Sequence, residues 1–277
     1  MEVPSKVHID EGEEKKQVVF GGQRATRFIK DVVAGRFIDG RRYSFNSQFI
    51  MELHDRVSMA PHIKGFLRQT DSTTVGGEPV GPYLHLPSKM YLFGRWLEEQ
   101  MEILKNNPED LILALQIAAG THYGLTQPSF HPFDNGNGRT ARALMNTVLM
   151  SQSYELTAFG LAVPPIPILR TNKDEGHYIK SLRAVGQTKT LNPFMAFIAQ
   201  RWIESLNERI GKISENVKTP KTQADKLLLD KLENRRRLLQ EFVQPVGNHN
   251  GNGHSADYQL YPIPNYFEPR RIRVTYA

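Results

Sequence analysis

The sequence predicts an all-α fold: a bundle of amphipathic helices carrying one small β-hairpin. Three observations lead there. Apolar residues recur at helical spacing in successive stretches between Asn46 and Ile210. Turn chemistry and extended-chain residues gather in a single Gly- and Pro-rich stretch, Thr74–Pro87. A turn-rich segment, His131–Arg142, then runs straight into another helical pattern.

Asn46–Met59 and Ser88–Asn106 are amphipathic stretches of helical length. Pro108–Tyr123 carries Leu111, Ile112, Leu115, Ile117 and Ala118, and a helix hydrophobic on several sides belongs at the centre of a bundle. Ala141, Leu144, Met145, Val148 and Leu149 mark a helix from about Arg139 to Ser151 that should pack against it. Pro164, Pro165 and Pro167 enforce a break, after which His177–Val185 and Pro193–Ile210 read as two further helices. From about Lys218 the composition shifts. Gln223–Phe242 is expected to be an isolated helix with Leu228, Leu232, Leu239 and Phe242 on one face, and Gln244–Ser255 a polar linker. The chain thus divides into an N-terminal extension (1–19), a domain (20–212), a C-terminal helical extension (213–243) and a flexible tail (244–277), with docking back onto the domain and binding a partner as the alternatives for the aromatic, basic end Tyr258–Ala277. No internal repeat is visible.

Composition sets outer bounds. With 277 residues, 39% of them hydrophobic, the chain can bury one sizeable core plus appendages. No run approaches a membrane span, Met1–Lys16 lacks the apolar region of a secretory signal, and the absence of cysteine excludes a disulfide scaffold. A cytoplasmic protein is expected; delivery by a specialised secretion system would leave no mark in such a sequence. The net charge of +6 comes from dispersed residues, with tight groups only at Arg41-Arg42, Arg235–Arg237 and Arg270–Arg273. Without zinc spacing or an aromatic nucleic-acid signature, neither nucleic acid nor membrane is an expected partner.

The chemistry concentrates in His131-Pro-Phe-Asp-Asn-Gly-Asn-Gly-Arg-Thr-Ala-Arg142. Gly136 and Gly138 can adopt φ > 0 and leave backbone N–H groups uncovered, so the chain between them can wrap an anion. The helix that Arg139 opens points its N-terminus back at this turn, and its orphan N–H groups suit a pyrophosphate. Arg139 and Arg142, three apart on one face, add two guanidinium forks for phosphate oxygens. His131, with an ordinary pKa of about 6.5, can take a proton from an attacking hydroxyl near neutral pH. Together they suggest transfer of a phosphorus-centred group to a hydroxyl.

The segment resembles the signature of the Fic (Fido) family, His-x-Phe-x-(Asp/Glu)-Gly-Asn-Gly-Arg-x-x-Arg, with His131, Phe133, Gly136, Asn137, Gly138, Arg139 and Arg142 in register. The resemblance implies a Fic-type helical bundle and a protein adenylyltransferase, which moves AMP from ATP onto a Ser, Thr or Tyr hydroxyl of a target protein. It also implies His131 as general base, Phe133 as loop anchor, and Gly136–Gly138 as an anion hole that Asn137 helps to shape. Arg139 and Arg142 would hold the β and γ phosphates. Two alternatives stand beside this reading. One is transfer of UMP or a phosphoryl group, of which the phosphoryl case is the one that Arg139 with Gly138 argues against, since the kinase-like branch of the family departs at those positions; the other is a weakly catalytic nucleotide-sensing or interaction module.

A second segment supports the resemblance. Gly65-Phe-Leu-Arg68, then Thr74–Pro87 and Met90, is similar to the Fic flap, a hairpin that lies over the active site at about residues 68–87 and fixes the target. Val75, Gly76 and Gly77 would dock the target, which could add to the hairpin as a further strand.

One position departs from the family pattern. Asn135 stands where an acidic residue holds Mg²⁺ (or Mn²⁺), and Asp134, one step earlier, is the alternative ligand. An uncharged amide oxygen should bind the ion more weakly. Thr171-Asn-Lys-Asp-Glu175-Gly176 matches the family's inhibitory pattern (Ser/Thr)-x-x-x-Glu-(Gly/Asn) but follows the motif helix, away from where inhibitory helices lie. The expectation is no built-in inhibition: a separate antitoxin-like partner, or a constitutively competent site. His122 reads as a core histidine, His85 as a surface one, His249 and His254 as linker residues, and Trp96 and Trp202 as packing.

Overall fold

The computed structural model describes residues 23–35, 43–58, 66–71, 74–75, 77–152, 172–215, 223–243 and 261–266. Residues 23–33 form helix α1. Helix α2, Ser47–Val57, starts where the Asn46 side chain accepts a hydrogen bond from the Phe49 N–H at 3.2 Å. It buries Phe49, Ile50, Leu53, His54 and Val57, a single helical face. Strands β1, Thr74–Val75, and β2, Glu78–Pro79, pair antiparallel with Thr74 opposite Pro79 and Val75 opposite Glu78. Gly77 turns the hairpin at φ 88°.

A 3₁₀ turn, Tyr83–His85, leads into α3, Leu86–Asn106, with Pro87 in its first turn. Helix α4, Leu111–Thr126, is capped by Asp110, whose carboxylate accepts from the Leu113 N–H at 2.9 Å. As its composition predicts, α4 is the central helix, with Leu115, Ala118, Ala119 and Leu125 out of solvent. Helix α5, Asn137–Ser151, packs along α4 and α2. The bundle is completed by α6 (Asn172–Thr188), α7 (Asn192–Glu215) and α8 (Gln223–Val243), with α7 packing against α4, α6 and α8. Each buried Leu or Phe contributes about 1.5–3 kcal/mol, so this shared core fixes the helix that carries the motif. Trp96 and Trp202 both lie in it.

Three features differ from expectation. Helix α1 was not expected, yet Phe28 stacks on Phe49 at 5.7 Å between ring centroids and so joins the core. Helix α8 is not isolated: Leu232 and Leu239 are fully buried, and Arg235 donates to the Gln152 carbonyl at 2.9 Å. Residues 261–266 depart from the flexible tail expected over 244–277. Thr190 bridges Pro262, and the Tyr266 hydroxyl donates to the Gly120 carbonyl at 2.6 Å while its ring meets Trp96 edge to face. Tyr266 thereby satisfies its buried hydroxyl and fills the groove beside a helical glycine. The proline break at 164–167 and His249 and His254 lie outside the described residues. No described helix is long and apolar enough to cross a membrane.

Candidate active site

The N-terminus of α5 is built to stay open. Gly136, immediately before it, has φ 85° and ψ 0°, a left-handed conformation that only glycine adopts at no steric cost. A Cβ there would also lie 3.3 Å from the His54 Nε2. No side chain caps the helix and no acid occupies its first turn, so the N–H groups of that turn keep their positive field. The Gly136 carbonyl turns inward and accepts from the Thr140 N–H at 2.9 Å and its hydroxyl at 3.0 Å. Both motif arginines flank this end. An Arg139 Nη lies 3.6 Å from the Cβ position of Gly136, and an Arg142 Nη lies 3.4 Å from that of Gly138.

The loop leading into the helix is locked from inside. The Asn137 side chain accepts from the Phe133 N–H at 3.0 Å and donates to the Phe133 carbonyl at 2.6 Å, a two-point clamp on one residue's backbone. The Phe133 ring is fully buried and stacks on His54 with centroids 3.7 Å apart and planes 7° from parallel. The Asn135 carbonyl can only accept, so the 3.0 Å contact to His54 Nε2 makes that nitrogen the donor. Burial lowers the His54 pKa, outweighing the contact with Asn135, and Arg139 pushes the same way; the ring is neutral at pH 7.

His131 begins the loop between two buried anchors, Phe130 and Phe133, and Phe130 packs on Phe93. Its φ of 38° is rare for a residue with a Cβ. Burial holds its pKa below the ordinary histidine value, the Thr126 carbonyl opposes this, and the Arg68 charge adds to the lowering. At neutral pH the imidazole is therefore unprotonated and able to accept a proton. A neutral base, two guanidinium groups and an uncapped helix start thus occupy one compact turn of chain.

Residues 44–149 match the Fic/DOC family. Curated relatives named protein adenylyltransferase Fic are 33% identical over 152 residues in Drosophila grimshawi and 33% over 168 residues in Culex quinquefasciatus. These matches take in 54% and 60% of this chain but 27% and 29% of the relatives, so the chain spans less than a third of their length. Among solved structures, a Fic domain containing signaling protein from Bacteroides thetaiotaomicron shares the fold, with a TM-score of 0.50, 22% identity and 74% of each chain covered.

Within the matched stretch, His131, Phe133, Gly136, Asn137, Gly138, Arg139 and Arg142 lie at one end of α5, as the sequence arranges them. Asn137 acts by holding Phe133, with both ends of its amide occupied. Asn135 is exposed, and its side chain folds back on the turn: its Oδ1 accepts from the Gly136 N–H at 2.7 Å and from Arg139 at 3.4 Å. That oxygen is engaged with a cation and an N–H, whereas Asp134 presents an exposed carboxylate. No cluster of three potential metal-binding side chains occurs among the described residues. An exposed carboxylate such as that of Asp134 fits Mg²⁺ as a single ligand completed by nucleotide phosphates.

In the flap, Val75 is half-buried and Gly77 exposed, while Gly76 lies outside the described residues. The stretch 171–176 spans the start of α6; Thr171 and the side chain of Glu175 also lie outside them. His85 is exposed. His122 is fully buried, 3.1 Å from the Tyr178 hydroxyl, and burial followed by the Arg142 charge pushes its pKa down to about 3. A cavity of about 560 Å³ at the far end of α5, lined by Val32, Phe45, Met101 and Arg235 among others, contains none of the motif residues.

Sequence reasoning missed His54 and Phe130. A signal existed for His54, which falls at the apolar positions of α2 alongside Ile50, Leu53 and Val57. A polar ring on a core face calls for a nearby partner, but the chain alone does not say that the partner is 81 residues away.

Proposed function

We propose that this domain transfers AMP from ATP to a hydroxyl of a protein target. The observation that carries the reading is the uncapped, acid-free N-terminus of α5, flanked by Arg139 and Arg142 and preceded by a neutral His131. The target hydroxyl gives its proton to the His131 imidazole and attacks the α-phosphorus. A new oxygen–phosphorus bond forms, the bond to the bridging oxygen of the β-phosphate breaks, and pyrophosphate leaves. The α5 N–H groups with Arg139 and Arg142 hold the β and γ phosphates, so catalysis rests on positioning and charge. Asp134 is the side chain that would hold Mg²⁺ or Mn²⁺, which neutralises phosphate charge when bound. A target segment would pair with the exposed edge of the Thr74–Pro79 hairpin. Restraint, where needed, would come from a separate antitoxin-like partner.

The engagement of the Asn135 amide oxygen by Gly136 and Arg139 favours a second reading, a nucleotide sensor with little turnover. Transfer assays with ATP labelled at the α or the γ phosphate separate the cases. Protein carrying α label alone supports adenylyl transfer, γ label alone means phosphoryl transfer, and bound nucleotide with neither label means a sensor.

A further inference from the structure

Arg68 is fully buried, yet the chemistry above gives it no role. Its Nε donates to the His131 carbonyl at 3.0 Å, Nη1 donates to the Thr70 carbonyl at 2.7 Å and to Asp71 at 3.1 Å, and Nη2 donates to the Gly81 carbonyl. Its backbone N–H donates to the Pro132 carbonyl at 2.9 Å. A guanidinium is costly to bury, and this one is tolerated because its donors and its charge are matched. Asp71 also accepts from the Tyr83 N–H at 2.7 Å, so one carboxylate ties Arg68 to the far side of the flap.

The carbonyls that Arg68 joins belong to different elements. Gly81 ends the flap, and His131 begins the catalytic loop. Around this bridge the two are laced further: the Gly81 N–H donates to Pro128 at 3.0 Å, and Lys89 at the start of α3 donates to Ser129 at 2.7 Å. The approach is so close that a Cβ at Gly81 would sit 2.6 Å from the Ser129 carbonyl oxygen. His131 needs such restraint. A residue before proline is steered towards extended backbone, whereas His131 has φ 38°, a conformation costing about 1–3 kcal/mol unless its surroundings impose it. Arg68 takes the carbonyls of both His131 and Pro132.

We propose that Arg68 is a positioning residue that holds the His131 backbone in its left-handed turn and ties it to the flap, so that seating the flap and aiming the base are one conformational event. The proposal rests on the reading of His131 as general base. It places the coupling in residues outside the motif, and assigns to target docking a second effect, the steadying of His131.

The test compares the full chain with Arg68→Lys, Arg68→Gln and Gly81→Ala by hydrogen exchange, ATP–Mg²⁺ calorimetry and intact-mass detection of AMP transfer. In Arg68→Lys, amide exchange in 78–83 and 128–133 should rise together by about tenfold while α7 and α8 stay unchanged. ATP affinity should move by less than about threefold, and His131-dependent transfer should fall by about tenfold or more. Exchange rising throughout the bundle, or in one segment alone, overturns the coupling. Should both Arg68 variants fail to fold, Gly81→Ala applies the same test, since its methyl group must part Gly81 from Ser129; loosening confined to the flap would sink the proposal. A wild-type protein whose two segments loosen together in the variants, but which transfers no AMP, refutes the transfer reading and leaves the coupling intact.

Discussion

The two ends of helix α5 are finished in opposite ways. At the N-terminus Gly136 offers no side-chain cap, the first-turn N–H groups are open, and Arg139 and Arg142 add charge of the same sign as the helix dipole. At the C-terminus, about 20 Å away at 1.5 Å per residue, the Gln152 carbonyl receives a hydrogen bond from the buried Arg235. There the cation complements the dipole and the helix end is satisfied by the protein itself. A helix whose cations crowd the wrong end, with no anion of its own, is open to an anionic ligand; one whose far end is closed by a side chain is completed by the fold. On the proposed function, the same side-chain type serves binding at one end and stability at the other.

Arg142→Ala gives the largest expected effect on this contrast. Losing a charged hydrogen bond of about 1.5–3 kcal/mol should weaken ATP binding by roughly ten- to a hundredfold, read by calorimetry, with little change in melting temperature. Arg235→Met should do the reverse, costing about 1–3 kcal/mol in denaturant unfolding by leaving the Gln152 carbonyl unpaired, with ATP affinity unchanged. If both variants lose affinity, or both lose stability, the division of labour between the two ends is wrong.

The histidines sharpen the same contrast between core and site. His122 has an ordinary pKa of 6.5 when unfolded and about 3 in the folded core, so the unfolded chain takes up the proton first as pH falls. Stability is full above pH 6.5 and is lost progressively between 6.5 and 3. His54 and His131 are shifted in the same direction and add to the slope. His122→Gln should flatten the acid side of a plot of melting temperature against pH; an unchanged slope would contradict the buried neutral assignment. Asp134→Asn carries the smallest expected effect, a several-fold rise in the Mg²⁺ concentration needed for ATP binding, measured by calorimetry across a metal titration.

The functional end of α5 was far more legible in the sequence than its surroundings. The glycines, arginines and histidine of 131–142 sit within 12 residues, so spacing alone places them on one turn and one helix start. The central helix was equally legible, because Leu111–Leu125 is apolar on every side and needs no partner to be recognised. What the chain did not reveal depends on distant pairing. His54 meets Asn135, Arg68 meets His131, and Tyr266 meets Gly120, contacts spanning 81, 63 and 146 residues. Helix α8 looked isolated because its core face is short and Arg235 sits in a basic run that reads as solvated until Gln152 is placed beneath it. The local hydrogen bond of Asn135 was equally hidden: its side chain satisfies the Gly136 N–H, a demand set by the left-handed turn and invisible in a list of metal-ligand types.

Intact-mass spectrometry of the purified chain after incubation with ATP and Mg²⁺ or Mn²⁺, beside His131→Ala, tests the central claim most directly. The account predicts protein, or an added target, heavier by one AMP in the wild type alone. Equal labelling in His131→Ala, or ATP bound at the α5 terminus with no AMP transferred to any protein supplied, would contradict it.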